Sequence, residues 1–288
     1  MPETQFSSAT GRTDRCSVLL EVTRESAGWE FLDFSIRRIP RGLQWRDRTD
    51  GREACLVLLS GECEIQLEGG PSFKLGPRLN VFAGYPHAAY LPSGTGFRVE
   101  ASRNTELADG RAPSSKALAP RLIEPRDCGL EIRGGGNATR QIVDIMPPDF
   151  PGDRLLVCEV FTPSGNWSSF PPHKHDEENF PAEVDLEEVY YYRFSHPDGF
   201  GYQRLYRADG SRDETFRVVD GDLVLVREGY HPFVTCYGYH AYYLNFLAGE
   251  PGTRRSMAAS DDPSFAHFRE RWPKPDPRLP LLRRPEQT

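Results

Sequence analysis

Glycine and proline cut this chain into short pieces: 26 glycines and 25 prolines are spread along 288 residues. Proline removes a backbone donor and is excluded from central strands and helix interiors. Glycine marks the turns that need unusual backbone angles. Between these breaks lie runs of four to eight residues rich in β-branched and aromatic side chains. In the first half they include "SVLLEV", "ACLVLLSG", "ECEIQLEGG" and "GFRVEAS". In the second half they include "RLLVCEVFT", "EEVYYYRF", "GYQRLYRA", "TFRVVDGD" and "HAYYLNFLAG". Short runs bounded by turn formers predict an all-β sandwich or barrel. "ECEIQLE" alternates and predicts one wet face, whereas "DLVLV" is continuously apolar and predicts burial on both faces.

The two halves share a rhythm. Each carries about half a dozen strands and a late glycine-tyrosine turn with histidine, "GYPHAAYLPSG" at 84–94 and "GYHPFVTCYG" at 229–238. This predicts a duplicated barrel, with one unit over 1–135 and another over 136–288. The polar stretches 108–120 and 133–141 read as connecting loops. "PSFAHFRERW" (263–272) is the best helix candidate, with Ser264 as its cap. The proline-rich end, "PKPDPRLPLLRRPEQT", predicts an extended tail over a neighbouring surface.

A net charge of −7 argues against a nucleic-acid partner, whose phosphates require a basic face. No segment approaches the roughly 20 apolar residues that span a bilayer. The first residues lack the apolar core of a secretion signal, so a cytoplasmic location is expected. The six cysteines are scattered without a C-x-x-C pair, which predicts free thiols rather than disulfides or a cysteine-rich zinc site. Edge strands and the proline-rich tail leave room for a homo-oligomer.

Only seven histidines occur, and two of them stand two residues apart in "PPHKH", as His173 and His175. On an extended strand, positions i and i+2 face the same way. Glu188 opens the nearby run "EVYYYRF", and Glu187 beside it is an equal candidate by alternation alone. His231 follows the strand "DLVLV" through a tight turn at Gly229; it suits a ligand, or a turn residue bonded to a backbone carbonyl. Three imidazoles and one carboxylate suit zinc, iron, manganese or nickel and leave room for a substrate.

A histidine pair, a glutamate, a Gly-Asp strand and a Gly-x-His turn resemble the two motifs of the cupin superfamily. The glutamate lies thirteen residues after His175 because "DEENFPAEVDLE" intervenes, and Arg227 stands where proline is typical. "GNWSSFPPHKHD", "LEEVYYYRF", "GFGYQRLY", "DGDLVLVREGYHP" and "YYLNFLAG" together resemble the 5-deoxy-glucuronate isomerase family of myo-inositol catabolism. "LGPRLNVFAGYPHAAYLPSGT" extends the likeness into the first half, so it runs from about residue 15 to 272.

The resemblance implies a bicupin in which only the second barrel holds a metal. The first half agrees, since His87 is its single histidine. Similarity to the related 4-deoxy-5-ketouronate isomerases favours Glu188 over Glu187 and zinc over manganese, iron or nickel. The implied reaction turns 5-deoxy-glucuronate, a small sugar acid, into 2-deoxy-5-keto-gluconate by enediol proton transfer. Tyr190, Tyr192 and Gln203 are the catalytic candidates; Tyr190 and Tyr192 share the face of Glu188. Arg204 or Arg193 would pair with the substrate carboxylate, although alternation sets Arg193 off that face. Lys174 should point away from the ligands. A cupin dioxygenase with the same metal set, and a sugar-binding cupin without catalysis, are the alternatives.

Overall fold

The computed structural model describes residues 3–8, 15–250 and 255–285. Strands dominate, as the glycine and proline spacing predicts, and they form two barrels of the bicupin kind. Seven strands make the main sheet of the second barrel. In spatial order they are Gln5–Ser7, Asp222–Val226, Glu187–Phe194, Ala241–Ala248, Leu156–Thr162, Arg140–Met146 and Gly129–Arg133. The opposite wall is a four-stranded sheet that includes Phe200–Tyr206 and Phe233–Thr235. The first barrel is built around Arg52–Leu67, a 16-residue strand. It shifts register near Leu58 and again near Gly61, and so pairs with neighbours in both walls.

Several boundaries differ from those read along the sequence. The Thr105–Pro113 strand runs through the first part of the stretch assigned to a loop at 108–120. The Arg140–Met146 strand was not among the expected ones, because "RQIVDIM" begins inside the presumed loop 133–141. Across position 135, Gly129–Arg133 pairs with Arg140–Met146, and Gln5–Ser7 pairs with Asp222–Val226, so both short strands lie in the seven-stranded sheet. Strand edges, not sequence halves, recruit these pieces.

The expected helix at 263–272 is a 3-10 turn over Ala266–Arg271, with no side-chain cap at its start. Asp262 Oδ1 takes the Ser264 N–H instead. The tail does lie over a neighbouring surface: Leu282 is buried, and its N–H and C=O both bond to the Gln141 amide. Residues 286–288 of that tail lie outside the described residues. No described helix is long and apolar enough to cross a membrane. The six cysteines are free thiols.

The seven-stranded sheet is buried on both faces. One face packs on the first barrel through Phe34, Tyr191, Phe246 and their neighbours. Phe34 meets Phe246 edge to face at 5.5 Å. A side chain at Gly110 would sit 2.2 Å from that Phe246 ring, so this close approach needs glycine. The interior of the first barrel is filled by apolar side chains such as Leu56, Leu58, Ile65 and Val99. His87 does not join a metal-like cluster there, and the described residues hold only one such group, in the second barrel.

A fully buried ion pair crosses between the barrels. Arg78 donates to both oxygens of Glu159 at 2.7 and 2.8 Å, and Tyr242 adds a third bond to that carboxylate at 2.9 Å. Arg78 also donates to the carbonyls of Leu58, Val81 and Gly84. Removing one member of such a pair strands a charge in the interior. Glu159→Leu is therefore expected to destabilise the protein by about 3–5 kcal/mol, read as a shift in the denaturation midpoint. The double variant Arg78→Met, Glu159→Leu should recover part of that loss. An unchanged midpoint in Glu159→Leu would contradict the structural role of the pair.

Candidate metal centre

The Glu187–Phe194 strand positions the site. It lies between Asp222–Val226 and Ala241–Ala248, with Glu188 opposite Val226 and Leu247. Alternation sends its neighbouring glutamates to opposite faces. The Glu187 carboxylate accepts the N–H groups of Glu30, Phe31 and Leu32 at 2.6–3.0 Å and binds the first half of the chain. Glu188 points into the second barrel. This resolves the choice that alternation along the sequence left open.

His175 and His231 come to Glu188 from separate segments. His175 Nδ1 lies 3.0 Å from the Leu186 carbonyl, and the Leu186 N–H returns a bond to the His175 carbonyl. His231 Nδ1 lies 3.0 Å from the Gly229 carbonyl. A carbonyl only accepts, so in both rings Nδ1 carries the hydrogen and Nε2 presents a lone pair. The reading of His231 as a residue bonded to a turn carbonyl and the reading of it as a ligand thus describe its two nitrogens. Gly229 holds the turn with φ +82°, where a side chain would meet the Tyr206 carbonyl at 2.5 Å. Its N–H donates to Asp176 at 2.7 Å.

Both Nε2 atoms converge on one carboxylate oxygen. Glu188 Oε2 is 3.0 Å from His175 Nε2 and 3.4 Å from His231 Nε2. The donor atoms of His175, Glu188 and His231 all lie within 4.8 Å of one another, and all three residues are buried. His231 Nε2 has no hydrogen-bond partner. Lone pairs facing one another in the interior require a cation between them, either a proton or a metal ion. The donor set therefore fits a divalent metal. His173 stands beside this group. Its ring packs on His231 with centroids 4.7 Å apart and lines the same cavity, with Nδ1 3.4 Å from the Pro171 carbonyl.

Burial sets the protonation states. It pushes the His231 pKa down to about 3, with the His175 charge adding to the effect. Burial likewise lowers His173 well below the usual value, reinforced by His231. At His175 burial also opposes the charge, but the hydrogen bond and charge of Glu188 outweigh it and raise the pKa. Burial raises the Glu188 carboxyl, against the pull of His175. The His175–Glu188 pair is thus the place where a proton resides when no metal does.

His173, His175 and Glu188 line a cavity of about 200 Å³, with His231 packed against His173 and His175. Tyr190 and Tyr243 form its inner wall, with ring centroids 4.7 Å apart. The Tyr190 hydroxyl bonds to Ser169 at 3.1 Å, and Tyr243 bonds to Ser168 at 2.5 Å. Ser169 is the only non-glycine among the described residues with positive φ, at 54°. Such a backbone angle is costly, and here it aims the hydroxyl at Tyr190.

Other expected site residues lie elsewhere. Tyr192 bonds to Gln203 at 2.8 Å, but both sit deeper in the barrel core and neither lines the cavity. Arg204 points outward from the Phe200–Tyr206 strand and is paired bidentately with Asp213 at 2.7 and 2.8 Å. Arg193 sits on the opposite face, bonded to Glu106 and, at 2.9 Å, to Asp220. Alternation turns both arginines away from the metal-like group, so neither meets a ligand in the cavity. Lys174 points away as expected, held by Asp176 and Glu183 at 2.7 and 2.9 Å. Glu183 is buried and also accepts the Asp176 and Glu177 N–H groups. The sequence reading missed Arg140, Ser169, Tyr243 and Asn245, all of which line the cavity. Period-two alternation through Arg140, Ile142 and Asp144 was the signal available for the first.

Known proteins share this arrangement of chain. A family model described as KduI/IolB matches residues 6–268. A protein of Geobacillus thermodenitrificans named 5-deoxy-glucuronate isomerase is 46% identical over 232 residues, covering 80% of this chain and 85% of that one. A protein of the same name from Bacillus subtilis is 35% identical over 253 residues, covering 87% and 92%. The crystal structure of an IolB-like protein from Salmonella typhimurium superposes with a TM-score of 0.87 at 35% identity, over 93% of this chain and 99% of that one. An oxalate decarboxylase of Bacillus subtilis shares the fold, with a TM-score of 0.61 at 14% identity over 91% and 80% of the two chains. With nearly the whole sequence and both barrels matched, this chain belongs to the KduI/IolB family.

Proposed function

We propose that this protein is a metal-dependent isomerase that converts 5-deoxy-glucuronate to 2-deoxy-5-keto-gluconate. The observation that carries the reading is the convergence of His175, Glu188 and His231 at a cavity, in a chain whose relatives bear that activity in their names. His173, at the cavity wall, is the fourth ligand in this reading. Zinc is the metal that imidazole and carboxylate donors suit well; manganese, iron and nickel accept the same donors. When bound, the ion supplies a Lewis acid that favours negative charge on a carbonyl oxygen.

The chemistry moves a proton between adjacent carbons through an enediol. The aldehyde carbon gains a hydrogen and the neighbouring hydroxyl carbon loses one. Burial holds the Tyr190 phenol well above its ordinary pKa, with the Glu188 charge adding to the effect. Tyr190 therefore keeps its proton and serves as a hydrogen-bond donor to a developing oxyanion, not as a base. Tyr192 and Gln203 support the site from behind through their mutual bond.

Metal binding must displace the proton held by His175 and Glu188. Affinity is expected to rise with pH through the raised His175 pKa and then level off, with about one proton released per ion. Calorimetric titrations with zinc in two buffers of different ionisation enthalpy measure that number; buffer-independent heats would contradict it. Tyr190→Phe should lower kcat by roughly 10²–10³-fold with little change in KM, as steady-state assays will show. The central test is turnover of 5-deoxy-glucuronate in deuterated water without oxygen. Deuterium should enter the former aldehyde carbon, chelation should stop the reaction, and zinc should restore it. Turnover that needed oxygen, or that left the carbon skeleton unlabelled, would favour a dioxygenase or another route.

A further inference from the structure

We infer that Arg140 is the residue that binds the carboxylate of the sugar acid in this cavity. The inference rests on reading the cavity as a sugar-acid site. Three arginines line it: Arg133, Arg140 and Arg269. Two of them are already satisfied. Arg133 forms a fork on Glu131, with both bonds at 2.7 Å. Arg269 forms a fork on Asp261. Either would have to surrender a carboxylate to accept another.

Arg140 is different. It is 7% exposed, makes no ion pair or side-chain hydrogen bond with any described residue, and its Nε is buried without a partner. A guanidinium removed from water without an anion is costly, and such groups persist where something else completes them. The Arg140–Met146 strand fixes its direction. Arg140, Ile142 and Asp144 face the cavity, while Val143 and Ile145 pack in the core between the barrels. Arg140 lines the same cavity as His173, His175 and Glu188, so it shares the same small space as the metal-like group.

A planar guanidinium accepts a carboxylate through two parallel hydrogen bonds. The sugar acid carries its carboxylate at one end of the chain and its reacting aldehyde at the other. Anchored on Arg140, it leaves the aldehyde end free to meet His175, Glu188, His231 and Tyr190. Arg140 thereby selects acids over neutral sugars and sets the direction in which the substrate enters.

Calorimetric binding of two probes that differ only at the carboxylate tests this: D-glucuronate and its neutral isostere D-glucuronamide. The metal-loaded wild type should bind glucuronate at least 10-fold more tightly than the amide. Arg140→Gln should weaken glucuronate by about 100-fold and bind the two probes equally. Arg140→Lys should keep part of the preference. Arg133→Gln and Arg269→Gln should keep most of it. Wild-type protein offers a measurement that no folding defect can disturb: glucuronate, and not the amide, should protect Arg140 from phenylglyoxal, as mapped by mass spectrometry. Undiminished discrimination in Arg140→Gln, or protection of Arg133 or Arg269 in place of Arg140, overturns the inference. If 5-deoxy-glucuronate is not isomerised yet the discrimination tracks Arg140, the carboxylate site stands and only the reaction assignment falls.

Discussion

One strand carries two adjacent glutamates whose carboxylates must go to opposite sides of a sheet buried on both faces. Glu187 is met by three backbone N–H groups from the other barrel, and Glu188 by the His175 imidazole in its own. The register of Glu187–Phe194 between its two neighbours makes this possible. A slip by one residue would place Glu188 in the barrel–barrel core and Glu187 in the cavity. The packing of the barrels and the geometry of the site are therefore one constraint.

The site works by depriving polar atoms of local partners while fixing their orientation. Backbone carbonyls claim Nδ1 of His175 and His231, which leaves Nε2 of each facing the same carboxylate. Tyr190 and Tyr243 are held by serine hydroxyls and stay protonated because the interior disfavours phenolate. Arg140 has no counter-ion among the described residues. Each arrangement leaves a buried polar group short of complementary charge, which is costly in the interior. The first barrel contributes by filling the opposite face of the shared sheet. Its own interior is packed with apolar side chains and has no comparable group among the described residues.

Much of this was legible along the chain because β-structure writes its two faces with period two. The alternation in "EEVYYYRF" placed Tyr190 and Tyr192 with Glu188, and the same alternation kept Arg193 off that face. "PPHKH" and "GYHP" brought the histidines forward because such residues are scarce here. What failed had local causes. "RQIVDIM" starts shortly after a glycine-rich turn, so its first two residues fall in the stretch read as a loop and Arg140 went unconsidered. Gln203 and Arg204 alternate as expected, but depth is not encoded in parity. Gln203 faces inward, yet it lies behind the cavity with Tyr192 and not in its wall.

The sequence by itself determined the class of fold, the existence of two barrels and the chemical types at the centre, because turn formers, strand periodicity and rare ligands are local properties. It also carried the family likeness, spread over nearly its whole length. The tertiary structure alone decided which donors meet, since His175 and His231 reach Glu188 through contacts separated by 13 and 43 residues in the chain. It alone separated Arg133 and Arg269, which have partners, from Arg140, which has none among the described residues, because a partner elsewhere in the chain leaves no trace in local sequence. Long-range pairing of strands fixes those distances, and no short window of residues contains it.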